Sequence, residues 1–358
     1  EVLYGQTLLL GVRIDTNRIP SELRKAYRSM ALQAKTKDRD DGRPTRADQR
    51  EAREEAEDRC REDLASGRFV RSKLAPILWN VAEHRLLAPA FGDRLVGVMN
   101  DLFTETFEAT LAPMSAGPTA RERLEQKGRL RDFEDLAPSS FTSPPAAAAL
   151  EDAVSGRPTV SWCFGGPEPH DFLGDEFLMW LWHRIDQGDN LFETAAGSVG
   201  LVIDQVLEMQ CAWDATGRQS LRADGPARLP EARVALAAGK WPRKAGLVLS
   251  VDAEEYRCTL QADRLFVTGV KLPDAPETAT TERARMEARV EAIERLDRTV
   301  LALYDLFLEE RIGGGWTTLR ERMARWAQSA GRLTTSSAAA PAAMANGSDS
   351  ARAAPVRQ

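Results

Sequence analysis

The sequence predicts an α+β protein in which antiparallel sheets are flanked by helices. Three neighbouring segments, 245–251, 256–262 and 265–272, alternate apolar and polar side chains and are separated by short polar junctions, which is typical of a three-strand meander. Residues 281–311 instead carry apolar side chains at helical spacing, from Val290 to Phe307. Strands and helices therefore occupy separate stretches of the chain rather than alternating regularly.

The first predicted region, residues 1–114, is an N-terminal α+β region. In the charged stretch that follows Pro44, Ala52, Ala56, Cys60 and Leu64 recur every four residues, which indicates a helix with a narrow apolar stripe that is otherwise largely exposed to solvent. In chain order the predicted elements are a strand at 2–14, a helix from Pro20, the charged helix at 44–66, a strand pair at 69–79 and 84–90, and a helix at 91–107.

The remainder of the chain divides by composition into four parts. Residues 115–160 are rich in Ala, Pro and Ser and are predicted to be a linker with one short helix. Residues 161–275 form a central α+β region that contains the meander, a short helix at 230–238, and a helix at 172–185 that is apolar on nearly all sides. A long C-terminal helix is expected within 276–330, ended by three glycines at 313–315, and 331–358 are expected to be a disordered tail.

Composition limits the classes of partner. The chain has 48 Lys and Arg against 54 Asp and Glu, a formal charge of -6, so a protein that is basic all over is excluded. Nucleic acid could then bind only at a locally basic surface. No apolar run approaches the roughly 20 residues that cross a membrane, and no membrane partner is expected. The four cysteines lack paired spacing, which disfavours a disulfide framework or zinc site and suits a cytoplasmic location.

Groups with catalytic chemistry are sparse. The three histidines, His84, His170 and His183, have no partner spacing, and His183 is interpreted as a packed or surface imidazole. The glycines at 165–166 and 313–315 do not stand between a strand and a helix, as phosphate loops do, and are interpreted as turns or caps. We therefore predict no catalytic residue, no metal site and no cofactor.

Basic residues are the more informative signal, because clusters on exposed segments make phosphate contacts. The group Lys240, Arg243 and Lys244 is not interrupted by an acid in the sequence, whereas the first cluster is interleaved with Asp residues and has a solvated helix face as its ordinary explanation. Trp241 lies between these cations and could stack on a base or cover an apolar edge. The predicted DNA-binding residues are Lys35, Lys37, Arg43, Arg46, Arg222, Arg228, Lys240, Trp241, Arg243, Lys244 and Lys271.

Several short motifs follow one another in a characteristic order: the YGQTLLLGVR strand, Ile19-Pro20, Gly42-Arg43-Pro44, the Ala238-Gly239-Lys240 turn with Lys244, and Val270-Lys271. Taken together, this layout, from about residue 4 to 315, resembles the bacterial recombination-associated protein RdgC family. Lys240 and Lys244 match the family's basic pair, and Arg222 matches a basic position in the preceding loop. The sequence departs from the family at Asp224-Gly225, where adjacent lysines are common, and it lacks the family's first segment, so we expect a truncated N-terminus.

The resemblance implies a homodimer that closes into a ring around DNA, binds it without sequence preference, and limits the access of the recombinase RecA at the nucleoid. A basic lumen inside an acidic exterior would reconcile such a ring with the net charge. Two alternatives stay open. A metal-dependent nuclease or DNA-processing enzyme could use the abundant carboxylates, among them Asp175, Glu176 and Asp204. A protein-interaction module could grip a partner chain with the apolar helix at 172–185.

Overall fold

The computed structural model describes residues 2–37, 43–89, 92–145, 160 and 168–329. These residues belong to two compact units, Glu1–Thr110 and Leu111–Gln358. The glycines at 165–166, the second part of the predicted linker and the predicted tail at 331–358 lie outside the described residues. Each unit combines an antiparallel sheet with flanking helices, which confirms the predicted α+β class.

The sheet of the first unit has four strands in chain order, β1-β2-β3-β4. Its two long strands pair in continuous antiparallel register from Thr7 opposite Asn80 to Asn17 opposite Val70. The strand bounds are β1 Val2–Tyr4, β2 Thr7–Asn17, β3 Val70–Asn80 and β4 Arg85–Leu87. The predicted strand at the start of the chain and the predicted strand pair are therefore confirmed.

Three helices complete the first unit: α1 Ser21–Thr36, α2 Arg46–Ala65 and α3 Asp93–Phe107. The charged helix α2 begins with a capping box, in which Thr45 Oγ1 accepts from the Asp48 N–H and the Asp48 carboxylate accepts from the Thr45 N–H. Its predicted stripe is confirmed at Ala52, Ala56 and Cys60, which are buried along one side, and Leu64 at its end is half-buried. Most other side chains of α2 are charged and exposed.

The sheet of the second unit has six strands, ordered β10-β9-β8-β6-β5, with β7 paired to β6. All pairs are antiparallel, and β8, β9 and β10 form the predicted meander. The bounds are β5 Leu191–Thr194, β6 Gly197–Cys211, β7 Gln219–Ala223, β8 Lys240–Val251, β9 Glu254–Gln261 and β10 Phe266–Lys271. Buried and more accessible side chains alternate along β6, β8 and β9, so one face of this sheet meets the core and the other does not.

The helices of the second unit pack on the core face of its sheet. Their bounds are α4 Ala116–Gln126, α5 Leu130–Glu134, α6 Phe172–Asp186, α7 Pro230–Ala237, α8 Glu282–Arg311 and α9 Trp316–Ser329, with a short 3-10 helix at Pro226–Arg228. No helix in the described ranges is long and apolar enough to cross a membrane.

Helix α6 is the centre of this core. Every residue from Phe172 to His183 is buried, and its aromatic side chains pack against Phe192, Tyr304 and Phe307 of the same unit. The apolar surface on which the partner-gripping alternative depended is therefore covered by the chain itself. The sequence pattern correctly predicted a helix buried on several sides, and its partners are intramolecular.

Two segments differ from the sequence prediction. The first part of the predicted linker is core structure: Ala116, Ala120 and Leu124 of α4 and Phe133 of α5 are buried. Small and apolar residues there fit against neighbouring helices, so an Ala-rich composition did not indicate a linker. Near the C-terminus the chain forms two helices rather than one, since α9 follows α8 directly after the three glycines.

A buried ion pair ties α6 to α8. Arg311 Nε donates to Glu176 Oε2 at 2.6 Å, and both side chains are almost completely buried. Glu176 Oε1 also accepts from the Ser139 N–H at 2.6 Å, and an Arg311 Nη2 donates to the Ala137 carbonyl at 2.7 Å. Each charged group thus has hydrogen-bond partners, which is the condition under which buried charges are tolerated.

Candidate nucleic-acid interface

The strongest predicted basic cluster, residues 240–244, forms the beginning of strand β8 rather than an exposed loop. Because successive side chains of a strand point to opposite faces, the cluster is divided between the two sides of the sheet. Arg243 faces the core, and Lys244 belongs to the accessible face. The apolar alternation of the residues that follow, from Ala245 to Val251, was the sequence signal for this division.

Arg243 forms internal ion pairs, and the prediction that it contacts DNA is corrected for that reason. Its Nη2 donates to Asp263 Oδ2 at 2.9 Å, and its Nε lies 3.6 Å from Asp175 Oδ1. Both carboxylates are buried. Burial raises the pKa of Asp175 well above its ordinary value, and the nearby Arg243 guanidinium opposes that rise only in part. Arg243 therefore compensates buried acids instead of meeting solvent phosphates.

The prediction that Trp241 contacts DNA is also corrected. Its ring is fully buried, edge-on to Phe141 and Trp213 at centroid distances of 5.2 and 5.4 Å. Its indole N–H donates to Thr142 Oγ1 at 3.1 Å. A ring enclosed in this way cannot stack on a base, so of the two interpretations that the sequence left open, the covering of apolar structure is the one observed.

Three of the predicted residues share the accessible face of the second sheet. Lys244 on β8 lies opposite Glu208 and Gln261, Arg222 on β7 lies opposite Val206, and Lys271 on β10 lies opposite Arg257. Arg257 was missed by the sequence reasoning, although its position between buried Tyr256 and Cys258 in an alternating strand could have identified it. We call Arg222, Lys244, Arg257 and Lys271 the open-face cations.

Strand spacing sets the extent of this group. Neighbouring strands lie about 4.8 Å apart, so the four steps from β7 to β10 span roughly 19 Å. The open-face cations therefore occupy a band comparable in width to a DNA duplex. Such a band can contact phosphates at several points without contacting base edges.

Carboxylates on the same face moderate its charge. Lys244 Nζ lies 3.7 Å from Glu208 Oε2, and Arg257 Nε lies 2.7 Å from Glu255 Oε1. Lys244 and Glu208 are 39% and 40% exposed, so their attraction is weakened by solvent. A phosphate can exchange with an exposed carboxylate partner at little cost. A third acid, Asp204, accepts a hydrogen bond from the Gly225 N–H at 2.9 Å and shapes the loop after β7.

The other predicted residues lie elsewhere. Lys240 is half-buried at the start of β8, and Arg228 is exposed at the end of the short 3-10 helix. Lys35, Lys37, Arg43 and Arg46 belong to the first unit, around the end of α1 and the start of α2. Lys35 pairs with Glu51 at 2.9 Å, as a solvated helix pair would.

Comparisons add no constraint on the chemistry. No protein-family model matches the chain, and the search of curated proteins found no match either. Within the described ranges, no three His, Cys, Asp or Glu side chains are grouped so that they could hold a metal ion. The open face of the second sheet is thus the site that follows most directly from the geometry.

Proposed function

We propose that this protein binds DNA without sequence preference, through phosphate contacts made by the open-face cations. The observation that carries the proposal is the placement of Arg222, Lys244, Arg257 and Lys271 on one face of one sheet. Phosphate neutralisation by such residues releases counterions and does not depend on base sequence. The net charge of -6 is compatible with this function, because the local field governs contact with phosphates.

The proposal extends to assembly and role on the strength of the sequence resemblance. A homodimer that closes into a ring would present two copies of the open face to one duplex. It would double the number of phosphate contacts and would restrict the access of RecA to the DNA at the nucleoid. Light scattering after size-exclusion chromatography, with and without a duplex, tests the dimer; a strict monomer in both conditions contradicts the ring.

Lys244 gives the sharpest test of the proposed surface. Lys244→Gln should lower the salt dependence of binding by about 0.9 log unit per log unit of salt, and the affinity by about eightfold at 0.1 M salt. The matched control is Lys127→Gln, because Lys127 is similarly exposed and also pairs with one carboxylate, that of Glu309. Fluorescence anisotropy with two unrelated duplexes supplies both values. Equal effects of the two substitutions would contradict the assignment.

Glu208 provides a test in the opposite direction. Glu208→Gln removes the carboxylate beside Lys244, so we expect binding to strengthen by about two- to fivefold, the value of an exposed ion pair. Glu309→Gln makes the same change in net charge and frees Lys127 instead. If Glu309→Gln strengthens binding as much as Glu208→Gln does, the effect reflects total charge and not the open face.

A further inference from the structure

A separate cleft of about 880 Å³ lies in the second unit, where the end of α6, the glycines after α8 and helix α9 meet. It shares no residue with the open face of the sheet. Its lining includes an apolar part formed by Leu319 and Trp326, and the side chains of three arginines, Arg184, Arg322 and Arg325. A cleft of this volume lies within the usual range for small-molecule sites, and it is too small to admit a duplex.

Both acids in the lining bond to one arginine. Arg184 Nε donates to Asp189 Oδ2 at 2.6 Å, and Arg184 Nη1 donates to Glu310 Oε1 at 2.7 Å. Glu310 Oε2 additionally accepts from the Trp180 indole at 2.9 Å. Arg184 balances only one of these two carboxylate charges. Together with Arg322 and Arg325 the lining holds three arginines against two acids, so the cleft keeps one net positive charge.

Arg322 and Arg325 are exposed side chains one turn apart on α9. In the described part of the chain, neither guanidinium forms an ion pair with a carboxylate, and the Arg325 Nε donates to the Glu321 carbonyl. Side chains three residues apart lie on the same side of a helix, so both can approach one bound anion. Guanidinium groups suit phosphate oxygens because they offer parallel N–H donors.

The glycine loop brings a helix N-terminus to the same cleft. Gly313 and Gly315 line it, and the Gly315 carbonyl accepts the first bond of α9, from the Leu319 N–H at 3.1 Å. Gly315 is therefore the residue that caps α9. A Cβ atom at Gly315 would meet no atom within 4 Å, so packing does not require glycine there. A capping glycine leaves the first N–H groups of the helix without a side-chain acceptor.

His183 is the most buried polar side chain of the cleft lining. Its ring lines the cleft and is 7% exposed, while its Nδ1, which has no hydrogen-bond partner among the described residues, is covered by the surrounding protein. Trp326 contacts the ring edge-on at 5.3 Å and supplies no acceptor. Burial, and to a lesser degree the Arg322 charge, lowers the pKa of His183. His183 therefore contributes an uncharged wall to the cleft, and the charge for a ligand comes from the arginines.

We propose that this cleft binds a small phosphate-bearing molecule, with Arg322 and Arg325 on the phosphate oxygens and the N-terminus of α9 beside them. Leu319 and Trp326 would contact the apolar or aromatic part of the same molecule. The site is independent of the DNA-binding surface, which lies on the opposite face of the sheet from the helices. It identifies the second unit as a receptor for a soluble phosphorylated ligand.

The experiment is a calorimetric titration of the 358-residue chain with inorganic phosphate, pyrophosphate and adenosine monophosphate. We expect binding of at least one of the three, and about tenfold weaker binding after either Arg322→Gln or Arg325→Gln. Arg320→Gln is the matched control, because it removes the same charge from the same helix at a position outside the cleft lining. A duplex added in parallel distinguishes the sources of phosphate: the arginine substitutions should leave duplex affinity unchanged.

Gly315→Asp separates binding from folding. An aspartate at the capping position should accept from the first N–H groups of α9 and stabilise the helix, while it repels a phosphate from the cleft. We therefore expect an unchanged or higher melting temperature together with loss of phosphate binding. The proposal is overturned if none of the three probes binds at 10 mM, or if Arg322→Gln and Arg320→Gln have equal effects. It is also overturned if duplex binding, and not small-phosphate binding, depends on Arg322.

Discussion

The ion pair between Arg311 and Glu176 offers a direct test of how the second unit is held together. Arg311→Met removes the guanidinium while it keeps most of the side-chain length. The change deletes a 2.6 Å bond to the Glu176 carboxylate and a 2.7 Å bond to the Ala137 carbonyl. It also removes the cation that lies 4.8 Å from the centre of the Trp316 ring.

The loss of stability follows from the Glu176 carboxylate, which remains in the core. Glu176 is 2% exposed and would remain in the core without its counter-charge. Breaking one side of a buried pair costs about 3–5 kcal/mol, which is a large fraction of the 5–15 kcal/mol that holds a typical domain together. The double variant Glu176→Gln/Arg311→Met removes both charges of the pair, and Gln keeps an acceptor for the Ser139 N–H. It should therefore be more stable than Arg311→Met alone.

Urea unfolding followed by tryptophan fluorescence measures these differences, because every tryptophan except Trp79 lies in the second unit. Lys127→Met serves as the control, because Lys127 also lies in the second unit. Lys127 pairs with Glu309, and the two side chains are 42% and 60% exposed, so the loss should be under about 1 kcal/mol. A loss below 1 kcal/mol for Arg311→Met, or a double variant less stable than the single one, would refute this account of the core.

Two further predictions concern glycine and buried charge. Gly174→Ala should destabilise the second unit by about 3 kcal/mol or more, because the added Cβ would lie 1.9 Å from the Ala262 carbonyl oxygen. Gly97→Ala, in an open part of α3, should instead stabilise the first unit by up to about 1 kcal/mol. Equal effects of the two substitutions in thermal melts would contradict this contrast. Asp175 has a raised pKa in the folded state, so the folded chain binds more protons than the unfolded chain, and stability should fall as pH rises above 3.8. Asp175→Asn should abolish the part of this decline that comes from Asp175. If the unfolding free energy of Asp175→Asn has the same pH profile as that of the unaltered chain, this prediction is wrong.

Local patterns in the sequence predicted much of the secondary structure. The four-residue repeat of Ala52, Ala56 and Cys60 has only one helical face to occupy, and that face is buried. The alternation in β8, β9 and β10 likewise has one outcome, a half-buried antiparallel sheet. In both cases the periodicity of the side chains determines the element, and no distant residue is needed to decide it.

The candidate site depended on contacts that the sequence order conceals. Arg243 has no acidic neighbour in the sequence, yet Asp175 and Asp263 reach it from α6 and from the turn after β9. Lys244 likewise meets Glu208 across the sheet. A stretch of sequence without acids therefore does not show that the local charge in a sheet is positive. The closest neighbours of a strand residue include side chains of the adjacent strands, which come from other parts of the sequence.

The sequence composition did not show that the segment before α6 is buried, for a related reason. Ala116 and Ala120 are small residues that allow close packing, and the same composition is common in linkers. The Tyr304 hydroxyl donates to the Ala116 carbonyl from α8, a contact across almost 190 positions of the chain. Only tertiary packing distinguishes the two uses of such a segment.

The salt dependence of DNA binding tests the central claim most directly. The measurement compares the unaltered chain with a variant in which Arg222, Lys244, Arg257 and Lys271 are all replaced by Gln, over a range of salt from 50 to 300 mM. For one protomer, the slope of log affinity against log salt should become shallower by about 3.6, which corresponds to four lost phosphate contacts. An unchanged slope, with the variant folded as judged by its melting curve, would contradict DNA binding through the open face of the second sheet.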